Sequence, residues 1–393
     1  MKLTIPADEL AAAASWATAA AVPDRPTSPV LAGLLLDASA DETLTLTGYD
    51  YETSAVARLA ARVGEPGRAL ISARLLAEIA RNLPDDLLGA TIATDGTRAV
   101  LTAGPVTYTL MLLPPEEYPE PPAPGSPVGE FAAADLASAV AQVVPAAGKD
   151  DTLPVLLHVR LSLDGKGTAT LAATDRYRIA IATCPYTPAD PDAAPPEPVL
   201  IRARHLAAVM RKPAGTTVTM GLDSDRGDDG GTLSGPGAIT LITGDRRVTM
   251  RLGADIDKFP RVAKFIPDAD SIKASVTVDA AALSAAVKRA ALVAERNTPV
   301  RLTPAGNALH IGAGTGDEAG YAEDVRAQLD GEPCPIAFNP AYLLDALNAI
   351  AAGASAARID LTEPSKPALI TPAGDPPGPV TSRHVLVPIR SAG

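Results

Sequence analysis

A chain of 393 residues exceeds what one hydrophobic core ordinarily organises and suits two to four domains. Hydrophobic residues make up 47% of it but aromatics only 3%, so its cores must be built from Ala, Val, Leu and Ile, and no apolar run approaches the roughly 18 residues of a membrane span. The net charge of −12 argues against a protein that grips nucleic acid with its whole surface. Met1 to Ile5 turns polar too soon for a signal peptide, and Cys184 and Cys334, in no metal or redox spacing, suit a reducing cytoplasm.

In chain order the sequence repeats itself three times. The first unit opens with a helical pattern over 7–22, followed by Arg25-Pro26-Thr27, a strand over 30–36 and the phrase LTLTGYDYETSA at 44–55. A second helix over 72–82 is stopped by Pro84, and a hairpin over 97–113 turns at Gly104-Pro105. The second unit replays that order. Its helix spans 132–149, its strand 153–163, its phrase ATLAATDRYRIA 169–180, its second helix 202–212 and its hairpin 239–252, turning at Gly244-Asp245. Asp175 is placed to form a turn, because a carboxylate there accepts from backbone N–H groups two residues on. The third unit has a helix over 279–296, strands at 300–302 and 308–314, and a helix from Asn339, an N-cap residue followed by Pro340. Corresponding leucines, Leu10, Leu136 and Leu283, stand about 126 to 147 residues apart, so the repeats are domain-sized. The proline-rich stretch 114–127 and the segment 255–260 are the joints. An α+β fold of three similar domains over 1–122, 128–256 and 257–393 follows, each with two helices packed on antiparallel sheets.

This order of segments resembles the bacterial sliding clamp family, the β subunit of DNA polymerase III. Its most specific pieces are Arg25-Pro26-Thr27 before Pro29-Val30-Leu31, ATDRYRIA, Phe259-Pro260, FNPAYLLDALNAI at 338–350 and Val385 to Arg390. The resemblance implies a DNA clamp fold: a head-to-tail homodimeric ring of six domains around duplex DNA, helices lining the hole, with no catalysis, cofactor or metal. It also implies partners that dock through short linear motifs, namely the polymerase α subunit, the clamp loader, repair polymerases, and ligase or mismatch-repair proteins, and no membrane. The charge pattern agrees, since the six helical segments are net basic and the remainder net acidic. Arg25, Arg74, Lys149, Arg202, Arg204, Arg211, Lys212 and Arg296 are the candidate phosphate contacts.

Carried over position by position, the family's partner-peptide pocket uses Leu156, Thr174, Arg176, Tyr177, Arg178 and Ile179 from the middle domain. Pro260, Lys264 and Phe265 come from the joint, and Asn339, Tyr342 and Pro367 from the third domain. Val385, Leu386, Val387, Pro388, Ile389 and Arg390 complete it. An apolar cleft with a few polar fixing groups suits a peptide with a Gln-x-x-Leu-Phe-like core. Arg176-Tyr177 and Lys264-Phe265 depart from the Gly-His and Arg-Val common among relatives, which bears on the peptide preference. The dimer contact is implied at Tyr108 and Leu110, facing Leu292 and Val293.

Other chemistry finds little support. His158, His205, His310 and His384 lack metal-ligand spacing, the acidic stretch 223–229 has its glycine misplaced and lacks the closing glutamate of a calcium loop, and 312–316 fails the dinucleotide fingerprint. A hydrolase on a repeated scaffold would need a convergent pair of acids within one motif, and none is found. Within the family, a specialised second copy that resists a clamp-directed inhibitor has the same sequence signature.

Overall fold

A computed structural model describes residues 1–84, 89–223, 237–294, 298–314, 319–332, 334–374 and 378–389. The chain forms two compact units, Met1–Ala133 with Ala208–Leu252, and Ala134–Ala207 with Gly253–Gly393. These cut across the middle sequence repeat. Its closing hairpin belongs to the first unit and its leading strands to the second.

Six α-helices occur among the described residues: α1 (Ala7–Ala21), α2 (Ala73–Arg81), α3 (Ala133–Val143), α4 (Ala203–Met210), α5 (Ala280–Ala290) and α6 (Pro340–Ala351). They match the expected order, with two corrections. The third helix stops at Val143 rather than Lys149, because Pro145 cannot continue it and the chain tightens into a 3-10 turn at Val144–Ala146. The fifth stops at Ala290, and residues 295–297, into which it was expected to run, lie outside the described set. The caps of α5 and α6 are chemical: the Asp279 carboxylate accepts from Ala282 N at 2.7 Å and the Asn339 side chain from Ala341 N at 2.9 Å.

Two expected strands begin late for one reason. Pro29–Ala32 and Pro154–Leu157 are 3-10 turns led by proline, so the strands start at Gly33 and His158. The hairpins turn at Gly104 and Gly244 as expected, each glycine with positive φ.

In the first unit all strand pairs are antiparallel. From one edge the order runs 126–132, 217–223, 238–243, 246–251, 53–60, 43–49, 33–39, 67–72 and 106–113, then 98–103, 90–95, 2–5 and 62–65. α1 and α2 pack on each other, and α1 lies over the strands at 43–49 and 53–60, burying Leu10, Ala14 and Ala17. The second unit has the antiparallel order 199–202, 158–163, 168–174, 178–185, 381–386, 368–372, 356–361, 274–279, 321–331, 308–313, 300–305 and 336–338. α5 and α6 pack on each other over a core that includes Leu283, Val287, Phe338 and Leu347.

In each unit one strand pair joins the segments farthest apart in the sequence. Thr53–Ala60 pairs with Arg246–Arg251, and Arg178–Pro185 pairs with Thr381–Leu386. The candidate site is built on the second pair.

Candidate functional site

The strand Thr168–Thr174 turns into Arg178–Pro185 through Asp175. One Asp175 carboxylate oxygen accepts from Tyr177 N at 3.0 Å and Arg178 N at 3.1 Å, which is the turn the sequence predicts. Arg176 carries φ of +81°, a left-handed conformation unusual for a residue with a Cβ. Thr174, buried, donates its hydroxyl to Arg178 O at 2.7 Å and accepts from Arg176 N at 3.2 Å. The turn therefore displays Arg176 and Tyr177 outward, Tyr177 with 54% of its surface exposed.

Arg178 points the other way. Only 6% exposed, it donates to Asp175 at 2.9 Å, to Asp345 at 2.5 Å and to Pro145 O, and its guanidinium lies 4.3 Å from the Tyr342 ring centre. Every face of the group is engaged, so it ties the turn after α3 and the helix α6 to the strand. A bidentate or stacked arginine is held more firmly than a lysine could be. Its carboxylate partner Asp345 is absent from the sequence-derived set, although it stands one turn beyond Tyr342 on α6.

Beside Arg178, a cavity of about 10 Å³ is lined by Gln142, Ala146, Ile179, Tyr342, Asp345 and His384. It has room for a single water at most. Burial, and then the charge of Arg178, pushes the His384 imidazole down to about 4. Burial, and then the neighbouring Asp175, raises the Tyr342 phenol. His384 is thus neutral near pH 7.

On the other face of the strand pair, Ile179, Leu369 and Val385 form a small apolar cluster, with Ile181, Val262 and Ile266 packed against it. Register explains the cluster: Ile179 stands opposite Val385, and Val385 opposite Leu369. Leu369, Ile181, Val262 and Ile266 were missed in the sequence because their partners arrive from distant strands. Phe265, 54% exposed, and Lys264 share the 3-10 turn with Val262. At the end of the strand, Val387 N donates to Tyr177 O at 2.9 Å and Ile389 N to Ala337 O at 2.8 Å, which fixes the C-terminal segment beside the turn. Val387 is 40% exposed, while Pro388 is buried. Tyr177, Phe265 and Val387 are the protruding apolar side chains.

Some predicted residues serve the core instead. Leu386 alternates away from Val385 and joins the main core with Phe338 and Ala368. Leu156 is buried within the 3-10 turn Pro154–Leu157, its carbonyl accepting from Gly148 N. Pro260, Asn339 and Pro367 are half-buried, Asn339 spending its side chain on the α6 cap. Arg390 lies outside the described residues.

Among the expected phosphate contacts, Arg25, Arg74, Arg211 and Lys212 are exposed in the first unit, and Lys149 and Arg204 in the second. Two of the eight share their charge. Arg74 donates to Asp24 at 2.6 Å and Arg202 pairs with Asp151 at 3.5 Å. Arg204 donates to His205, whose ring burial, and then Arg204 and Arg202, push down to about 4. Arg296 lies outside the described residues.

Of the expected dimer residues, Leu110 is 5% exposed and points into the first unit, while its neighbour Met111, missed in the sequence, is 67% exposed. Tyr108 is half-buried. Leu292 is 84% exposed, and Val293 packs on the core of the second unit. A wide groove in the first unit, lined by Thr4, Asp41, Glu42, Arg58 and Arg62 among others, gathers none of the expected site residues. Among the described residues no group of three or more His, Cys, Asp or Glu could hold a metal, and no helix is long and apolar enough to cross a membrane.

Three family models match in sequence order. They describe the N-terminal domain of the DNA polymerase III beta subunit over residues 1–122, its central domain over 130–252 and its C-terminal domain over 264–390. The chain is 40% identical to the beta sliding clamp of Streptomyces coelicolor, with 100% of both chains covered. It is 33% identical to the beta sliding clamp homolog GriR of Streptomyces muensis, with 99% of each covered. A crystal structure of the DnaN sliding clamp of Pseudomonas aeruginosa bound to griselimycin superposes with a TM-score of 0.82 at 26% identity, covering 100% of both chains.

Proposed function

The chain belongs to the DNA polymerase III beta subunit family, the bacterial sliding clamps, and from that premise we propose how this member assembles, holds DNA and receives its partners. It is a non-catalytic processivity factor. Its ring is two copies joined head to tail in the cytoplasm, and it encircles duplex DNA without regard to sequence.

The observation that carries this reading is a pair of half-satisfied sheet edges. Residues 106–111 pair with 98–103 on one side, and among the described residues only Leu112 and Leu113 of that strand have a neighbour on the other. Residues 321–326 pair with 308–313 on one side, while only 327–331 continue to Ala274–Val278 on the other. One free edge therefore lies in the first unit and one in the second, of matching length. Exposed edges are templates for pairing, and joining each to the opposite edge of a second copy closes a head-to-tail ring. Met111, Leu292 and Val293 supply apolar surface at that seam.

Inside the ring, Arg25, Lys149, Arg204, Arg211 and Lys212 bias the duplex toward the hole through weak, replaceable phosphate contacts. Outside it, Tyr177, Phe265 and Val387 rim the apolar cluster of Ile179, Leu369 and Val385, which receives the short linear motifs of the polymerase, clamp loader and repair proteins. A small site with few anchors gives modest affinity for a single peptide.

The test is topological. Protein loaded on nicked circular DNA stays bound as salt rises and leaves when the circle is cut once. Release by salt alone, indifferent to the cut, would make the chain an ordinary DNA-binding protein.

A further inference from the structure

Arg246 lies on a strand, apart from the helical segments that carry the expected DNA contacts. It opens the strand Arg246–Arg251, and it alternates onto the same face as Val248 and Met250, both buried on the α1 side of the sheet. There its guanidinium lies 5.1 Å from the ring centre of Trp16, a residue of α1 and the only tryptophan in the chain.

Several arginines in this acidic chain are neutralised by a carboxylate. Arg74, Arg178, Arg289 and Arg358 have one at 2.6, 2.5, 2.6 and 2.7 Å. Arg246 has none among the described residues, and its Nε is buried without a hydrogen-bond partner there. The indole holds the guanidinium in place without neutralising it. A planar, fully charged donor fixed in advance loses little freedom when it meets a phosphate. The arrangement is particular to the first unit. The repeat-equivalent positions in the second are Gln142 and Ser382, both buried, so both members of the pair differ together.

We propose that Arg246, braced by Trp16, is a phosphate contact for the encircled duplex. The inference rests on the reading that the helix side of the sheets faces DNA. The Nε edge is closed against the protein, and the terminal amino groups are the donors left for a phosphate oxygen. Drawing the cation toward a phosphate changes the field at the indole, so Trp16 reports the contact.

The experiment is a titration of the full-length protein with a short blunt duplex at low salt, following tryptophan emission, alongside the retention assay on circular DNA. Wild-type emission shifts on adding duplex, and the shift is lost as salt rises. In Arg246→Gln the duplex-dependent shift is lost, and the salt slope of duplex affinity falls by about one per lost contact. Arg246→Lys keeps part of the affinity, and Trp16→Phe, read with a labelled duplex, weakens it. Retention on circles survives all three changes. Emission indifferent to duplex, or an Arg246→Gln protein that titrates like wild type, would overturn the inference even with retention intact. Loss of the contact's signature and of retention together would instead strike at the ring itself.

Discussion

The turn at 49–53 in the first unit and the turn at 174–178 in the second are built alike and used differently. In each, an aspartate accepts from the next two N–H groups but one: Asp50 from Glu52 and Thr53 at 3.0 and 2.7 Å, Asp175 from Tyr177 and Arg178 at 3.0 and 3.1 Å. The residue after each aspartate has positive φ, +70° at Tyr51 and +81° at Arg176. Each turn receives a distant strand in the same way, Arg251 N donating to Glu52 O and Val387 N to Tyr177 O. What differs is the side chains that the shared register brings together. Ile179, Val385 and Leu369 in the second unit correspond to Ser54, Thr249 and Thr240 in the first. There Thr240 and Thr249 bond each other at 3.1 Å, and Gly125 N of the proline-rich joint donates to Thr240. An apolar floor is available to a visiting side chain, whereas a polar one already closed by the joint is not. The backbone device is a scaffold; in the proposed function the docking site comes from three apolar residues and an arginine lock.

Breaking the lock should have the largest effect. Arg178→Ala removes the cation from a buried network and leaves Asp175 and Asp345 uncompensated, for a loss of about 3–5 kcal/mol in denaturant unfolding. Thr53→Ala at the corresponding place in the first unit removes no buried charge and should cost about 1 kcal/mol. Equal losses would mean that the two turns are used alike.

Acid sharpens the same contrast. His384 has its folded value at about 4 against an ordinary 6.5, so its neutral form is favoured by folding. Its contribution is complete above pH 6.5 and is lost as the pH falls from 6.5 toward 4, by on the order of 3 kcal/mol in all. Its register counterpart in the first unit is Val248, which does not titrate. His384→Gln should make the stability profile shallower over that window, leaving the part that His205 contributes; an unchanged slope would place the titration elsewhere.

The smallest effects fall on the turns themselves. Arg176→Gly and Tyr51→Gly each relieve a left-handed residue while loosening the unfolded chain, so each should shift stability by less than about 1 kcal/mol and by similar amounts. A large difference between the two in thermal unfolding would contradict the shared construction.

Much of this was legible in the sequence because it is local. The three-fold repeat, the order of helices, the glycine hairpins, the Asp175 turn and the Asn339 cap all depend on residues within a few positions of one another. The prolines at 29, 145 and 154 are equally local, and each shortens the strand or helix beside it with a 3-10 turn. The pairing of Arg178 with Asp345 was not readable, since 167 residues separate them. Neither was the exchange of Leu110 for Met111 as the outward residue, which depends on which face of a strand its neighbours cover. Trp16 and Arg246 meet for the same non-local reason.

Of the two matching turns, only the one at 174–178 is proposed as a docking site. Calorimetric titration of the intact protein with a peptide carrying a Gln-x-x-Leu-Phe core tests it most directly. The account predicts one peptide per chain, with binding abolished by Phe265→Asp together with Val387→Asp and unaltered by Tyr51→Asp. Two peptides per chain, or binding that survives the first change and is lost with the second, would contradict it.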